Sequence, residues 1–204
     1  MDYLLAVTLF AISSSVTPGP NNIMVMTSGV NFGVQKSLPL LLGICLGFSL
    51  MLLVVGFGFA QLFALYPTLH FIIKCVGVGY LLYLAWLIAS SSSDVEKSRQ
   101  ATPFSFMKGA LFQWVNAKAW IVATGAIAAF TSSGGDLLTQ QLIISLTFFI
   151  VSFPCVGVWL LFGSMLQNAL NSQSHRRIFN LSMAGLLVLS VLPVMHEIIS
   201  QLLL

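Results

Sequence analysis

With 204 residues, 58 % of them apolar and 6 % charged, the chain has a mean hydropathy of +0.99. A soluble domain carries about 25 % charged residues, so this composition excludes a soluble globular fold and implies an integral membrane protein. The net charge of +3 is no nucleic-acid signal, because six of the eight Lys and Arg fall in alternate connections between apolar segments.

Those segments lie at about Tyr3–Val30, Leu38–Leu65, Leu69–Ala89, Phe106–Phe130, Leu137–Phe162 and Ile178–Leu204. Each meets the requirement of about 20 residues to cross a bilayer. No basic stretch precedes Leu4 and no small-residue cleavage site follows, so the first segment is expected to be retained rather than removed as a signal peptide.

The first segment contains Thr17-Pro18-Gly19-Pro20-Asn21-Asn22. Pro18 and Pro20 lack amide hydrogens, so a continuous helix would strand the carbonyls of Ser14 and Val16. Each also disfavours helical geometry at the residue before it. Broken backbone at membrane depth survives only where it faces protein or a watery cavity. A helix interrupted here and restarted beside two asparagines therefore reads as a binding site, with Ser14 a candidate cavity residue. Ser13-Ser14-Ser15 has no evident base partner and is expected to bond freed backbone groups or pack on a neighbour.

In the second segment Gly43 and Gly47, extended by Gly56 and Gly58, form a small-residue face for close helix packing. In the third, Lys74 is either an interfacial anchor or a cavity residue, and Gly77, Gly79 and Tyr80 follow it. The fourth runs Phe112-Gln113-Trp114-Val115-Asn116-Ala117-Lys118, with Lys118 at its midpoint. A lysine there costs roughly 2.5–3.5 kcal/mol to insert, which predicts a wet or paired interior site for it. Pro154 and Pro193 are candidate kinks in the fifth and sixth segments. Cys45, Cys75 and Cys155 have neither disulfide nor metal-ligand spacing and read as packing residues.

Lys36, Lys97, Arg99, Lys108, Arg176 and Arg177 occupy one set of connections, whereas Asp2, Asp136 and Glu197 fall on the other side. By the positive-inside rule both termini lie outside the cytoplasm, in the periplasm of a bacterium whose inner membrane holds the chain. The polar run from Ser90 divides the sequence into residues 1–89, a linker at 90–105 and residues 106–204, together one membrane domain. Three spans per half require the second half to be inserted upside down. A shift of 97 residues lays Pro20 on Ala117, Val25 on Val122 and Thr27 on Thr124. The expected fold is thus all-α: six transmembrane helices in two inverted three-helix repeats, the first helix broken at Thr17–Asn22. This is a recurrent plan for secondary transporters.

The run at 17–22, Gly33, the glycine-rich second segment, Lys74-x-x-Gly77-x-x-Tyr80-Leu81 and the motif at 112–118 resemble the LysE/RhtB family of amino-acid exporters over essentially the whole chain. One departure is Ala117, where the family has proline, which puts a full break of the fourth helix in doubt. That residue and the double asparagine look more like the branch exporting cysteine and O-acetylserine. The resemblance implies efflux of small amino acids or their metabolites driven by the proton motive force, with protons the coupling ion and no cofactor. Substrate would sit at Thr17, Pro18, Gly19, Pro20, Asn21, Asn22, Asn116 and Lys118, with Ser14, Lys74 and Tyr80 lining the cavity. Its carboxylate would dock at the restarted helix and its ammonium on the carbonyls around Ser14 and Val16 and the Asn116 amide.

Rival readings are a transporter of another solute such as a metal cation, an intramembrane enzyme and a non-transporting subunit. A central lysine with no carboxylate deep in any span argues against the cation. The enzyme lacks a nucleophile with its base, paired acids, or a His-Glu-x-x-His or Walker motif. The sequence leaves a homo-oligomer open. The charge pattern predicts that tags near Gly33, Ser98 and Ser174 are cytoplasmic and tags after Leu204 or near Asp136 external. A cytoplasmic C-terminal tag in an accessibility assay would overturn the inverted arrangement.

Overall fold

The computed structural model describes residues 3–59, 65–91, 102–132, 136–170 and 172–202. Their regular structure is helical: α1 (Tyr3–Val16), α2 (Pro20–Val54), a π-type turn (Val55–Phe59), α3 (Pro67–Ala89), α4 (Phe106–Val115), α5 (Ala117–Phe130), α6 (Leu137–Ala169) and α7 (Gln173–Leu202). Most of the expected linker, residues 92–101, lies outside the described residues. Four stretches, 20–58, 71–89, 137–167 and 173–201, are individually long and apolar enough to cross a membrane. The other apolar helices, α1 and α5, have 14 residues each. At 1.5 Å per residue they reach about 21 Å, short of a bilayer core of about 30 Å.

Helix α2 is not straight. Gly33 adopts φ 76° and ψ 178°, a left-handed-side conformation that glycine takes without a Cβ penalty. Ser28 and Ser37, on either side, hydrogen-bond through their hydroxyls at 2.7 Å. In one continuous helix nine residues would separate their backbones by about 13 Å, so the chain turns back at Gly33. The contacts with α6 give the directions. Phe10 packs on Phe148, Ser15 bonds Ser152 and Met26 meets Gly163. Beyond the turn, Leu41 meets Gly157 and Ser49 bonds Ser145. Helix α1 and residues 20–32 thus follow one another alongside α6, and residues 34–54 return in the opposite direction.

Glycines set how closely these helices approach. A Cβ on Gly43 would fall 2.1 Å from the Phe106 carbonyl oxygen, and one on Gly47 would fall 2.5 Å from the Ala110 Cα. Gly29 meets Leu160 and Ser164 in the same way, and Gly77 meets Val115. The expectation of close contact fails at Gly79, where a Cβ would meet nothing within 4 Å. Helices α6 and α7 run on through Pro154 and Pro193, which do not end them.

The exterior is apolar, unlike that of a soluble fold, and several polar side chains lie inside. Gln113, Asn116, Gln141 and Ser145 are buried, whereas Ile121 and Met165 are 71 % and 74 % exposed. Lipid accommodates that apolar exterior, and polar side chains at membrane depth turn to the protein interior. The core itself falls into two clusters, one around Met24, Leu40, Leu84 and Leu187, the other around Val7, Met51, Ile144 and Phe148. At the start of α6 the Asp136 carboxylate accepts hydrogen bonds from the amide and hydroxyl of Thr139, which hold its carboxyl below the ordinary range.

Gly43→Ala should destabilise the detergent-solubilised protein, because the added methyl meets backbone that cannot rotate away; overpacking costs about 1–3 kcal/mol. Gly79→Ala should leave the melting temperature unchanged or raise it slightly. Equal melting temperatures for the two variants would show that the glycine contacts do not limit packing.

Candidate functional site

Two helices are interrupted, by different chemistry. The first break is the proline one. Helix α1 stops at Val16, residues Thr17–Gly19 are non-helical, and α2 restarts at Pro20. Gly19 is extended and offers no side-chain cap, so the first-turn amides of Asn21 and Asn22 lack intrahelical acceptors. The second break occurs despite Ala117. Asn116 has φ −90° and ψ 107°, and its Oδ1 accepts from the Lys118 amide at 3.1 Å. An asparagine N-cap therefore does at α5 what a proline would do, by satisfying an orphan amide and favouring extended backbone. The doubt raised by the missing proline is resolved in favour of a break.

The carbonyls freed by the first break are taken up inside the protein. Asn22 Nδ2 donates to the carbonyls of Ser15 at 2.9 Å and Thr17 at 3.0 Å. Trp159 Nε1 donates to Val16 at 3.2 Å. Lys118 Nζ donates to the Thr17 carbonyl at 2.7 Å, with the Pro18 carbonyl at 3.5 Å. At the second break Trp120 Nε1 donates to the Trp114 carbonyl at 2.8 Å. Lys118 thus lies across Gly19, where a Cβ would come within 3.0 Å of its Cδ. The sequence assigned the Val16 carbonyl to a substrate ammonium; that acceptor already has a tryptophan donor.

The breaks are joined by a reciprocal amide pair. Asn21 Nδ2 donates to Gln113 Oε1 at 2.9 Å, and Gln113 Nε2 donates back to Asn21 Oδ1 at 3.0 Å. Asn22 is 3 % exposed, and its Oδ1 accepts no hydrogen bond among the described residues.

Two cavities meet here. The smaller, about 50 Å³, is lined by Ser14, Asn22, Cys45, Asn116, Lys118 and Ser152 among others. The larger, about 520 Å³, is lined by Pro18, Lys74, Asn116, Lys118, Ser190 and Glu197 among others. Gly19, Asn116 and Lys118 belong to both. Thr17 contributes backbone and is exposed, whereas Pro20 lines the larger cavity and Asn21 the smaller. Lys74 is a cavity residue that pairs with Glu197 at 2.5 Å. Tyr80 stands apart, in an apolar cavity of about 280 Å³ between α3 and α4, its ring 5.6 Å from that of Phe112.

Sequence reasoning did not assign Gln113, Ser152, Trp159 or Glu197 to the site. Gln113 was legible as a polar residue one turn before Asn116. Glu197 near the chain end, and Ser152 and Trp159 in an apolar segment, carry no local signal. Among the described residues no three His, Cys, Asp or Glu side chains cluster as a metal site would require.

Interrupted helices around a lysine-bearing cavity, with the regular structure of the described residues all helical, suit a membrane transporter. The profile of the LysE type translocators matches residues 12–196, and the chain belongs to that family; it is a translocator and not an enzyme. It is 30 % identical over 186 residues to a cysteine/O-acetylserine efflux protein of Escherichia coli (strain K12), covering 91 % of this chain and 93 % of that protein. A protein of the same name from Salmonella typhi is 31 % identical over the same shares. No solved structure matches the chain.

Asn116→Ala should lower stability by about 1 kcal/mol through loss of the α5 cap, and Asn116→Asp, which keeps an acceptor, should lose less. Thermal unfolding in detergent checks the order, and equal losses would remove the cap from the account.

Proposed function

We propose that this chain exports small amino acids or their metabolites, of the cysteine and O-acetylserine class, across the bacterial inner membrane under the proton motive force. One observation carries the reading: the N-termini of α2 and α5 converge on Lys118, beside the unpaired buried acceptor Asn22 Oδ1. A substrate carboxylate fits the first, since helix N-termini offer free amides and favour anions. Lys118 has three donor positions, so its bonds to Thr17 and Pro18 leave one for that carboxylate. The ammonium fits Asn22 Oδ1, in place of the Val16 carbonyl. The names of the relatives support the substrate class.

The architecture we infer is six spans in two inverted halves, residues 1–89 and 106–204, joined by the cytoplasmic linker at 90–105. Helix α1 with residues 20–32 would form the first span and α4 with α5 the fourth. Three observations favour it. Pro20 and Ala117, which begin the restarted helices, are 97 residues apart. The first broken span runs alongside α6, the second span of its opposite half. The fourth is set against the second in the same way, since Phe106 meets Gly43 and Ala110 meets Gly47. Finally, Ser49 and Ser145, 96 residues apart, each donate a hydroxyl to the other's carbonyl, as residues beside a pseudo-two-fold axis would. Alternating access by one half moving against the other would carry substrate between the two cavities, with protons moving inward and both termini external.

The test is counterflow in proteoliposomes with cysteine, O-acetylserine, threonine, homoserine, leucine and lysine, followed by gradient-driven transport. Lys118→Met should insert normally and abolish transport. Lys118→Arg keeps the charge but deprotonates far less readily. Retained binding with lost coupling assigns Lys118 a carried proton, and retained coupling assigns it a fixed charge. Wild-type transport by the methionine variant would overturn the site.

A further inference from the structure

The larger cavity contains an ionisable group that substrate binding leaves unused. Two carboxylates occur among the described residues, Asp136 and Glu197. Asp136 is occupied in capping α6. Glu197, on α7, lines the cavity that also holds Lys118, and its ion pair with Lys74 reaches across to α3. The side chain of Lys74 is 15 % exposed and that of Glu197 51 % exposed, so the carboxylate is the more open partner of the pair. The charged groups around it can be named by element. Among the described side chains, Lys74 comes from α3 and Lys118 from α5. His196 is its neighbour on α7, and α2 adds only Pro20 to this cavity.

We propose that Glu197 is the carboxylate through which external protons enter the transport cycle, by competing with the ammonium of the departing amino acid. The proposal rests on the exporter reading and on the external placement of the end of α7. As a carboxylate, Glu197 attracts whichever ammonium is near, that of Lys74 or that of a substrate leaving Asn22. A hydronium ion in the external solution transfers its proton to a Glu197 oxygen and leaves as water. The neutral carboxyl then holds no ammonium, and substrate is free to go. Lys118 lines both cavities, whereas Glu197 lines only the larger. Once substrate has left, the Lys118 ammonium gives its proton to water on the cytoplasmic side. The neutral amine then takes the proton from the Glu197 carboxyl, which returns to carboxylate and leaves Lys118 an ammonium for the next substrate. One proton moves inward for each exit, with nothing else consumed.

The experiment compares wild type, Glu197→Gln and Lys74→Met/Glu197→Gln in proteoliposomes, using an amino acid of the panel that wild type exchanges. Counterflow at equal pH is measured beside accumulation under a one-unit pH gradient, which for one coupled proton reaches about tenfold. Glu197→Gln should keep counterflow and fall to no accumulation. Accumulation at the wild-type level would overturn the proposal. If Glu197→Gln loses counterflow because Lys74 is left unpaired, the double variant decides. Counterflow regained without accumulation supports the proposal. Counterflow still absent, or regained together with accumulation, overturns it by assigning the pair to the passage itself or to packing. A wild type that exchanges no amino acid of the panel would instead sink the exporter reading, and this proposal with it.

Discussion

The bond from the Lys118 ammonium to the Thr17 carbonyl is the interaction on which the rest of the structure depends. A lysine at mid-span costs roughly 2.5–3.5 kcal/mol to insert, and unpaired carbonyls in hydrocarbon cost several kcal/mol each. Either defect alone is unfavourable, but each supplies what the other lacks. A hydrogen bond to a charged group contributes about 1.5–3 kcal/mol, of the order of the insertion cost. The proline break and the half-buried charge are therefore one feature, made from residues 101 positions apart.

Keeping those residues together requires backbones to approach closely, and the glycines provide for that. Gly19 lets the lysine stem cross the break, Gly43 and Gly47 admit α4, and Gly29 and Gly163 admit the contact between α2 and α6. None of these contacts needs a hydrophobic driving force, which lipid does not supply between helices. Close van der Waals contact and the reciprocal Asn21–Gln113 and Ser49–Ser145 pairs do that work. Polar pairs also fix register, since a shift along the helix axis would leave several of them unsatisfied together.

The features legible in the sequence were those with a local cause. Apolar length gave the segments, paired prolines gave the first break, and the depth of Lys118 gave its need for partners. The second break was obscured because the sequence argument weighed proline and not capping; Asn116 followed two residues later by the amide it caps is also a local signal, of a different kind. The reversal at Gly33 falls in the connection expected between the first and second segments, although the sequence argument did not single out the one left-handed residue that makes it. Glu197 was out of reach for another reason. Its partner Lys74 lies 123 residues away, and only the packing of α3 on α7 brings it to the cavity. The same holds for the tryptophan that takes the Val16 carbonyl, an assignment no spacing rule supplies.

Gly19, Asn116 and Lys118 are the groups common to both cavities, so in the proposed cycle whatever moves them would change which cavity the proposed binding groups face. Both helix breaks adjoin these three residues. A non-helical residue has few intrahelical bonds to lose when its dihedrals change, which makes Thr17–Gly19 and Asn116 suitable hinges. The Asn21–Gln113 pair lies on the stable side of each hinge and would travel as a unit. Substrate arriving at Asn22 would contact the very segment that Asn22 Nδ2 and Lys118 Nζ tether. In the proposed cycle a ligand carboxylate that competes for the Lys118 ammonium weakens the tether as it binds. Binding and the release of the hinge are then the same exchange of hydrogen bonds. A cavity with a separate gate would need a second structural device to connect them, and this one does not.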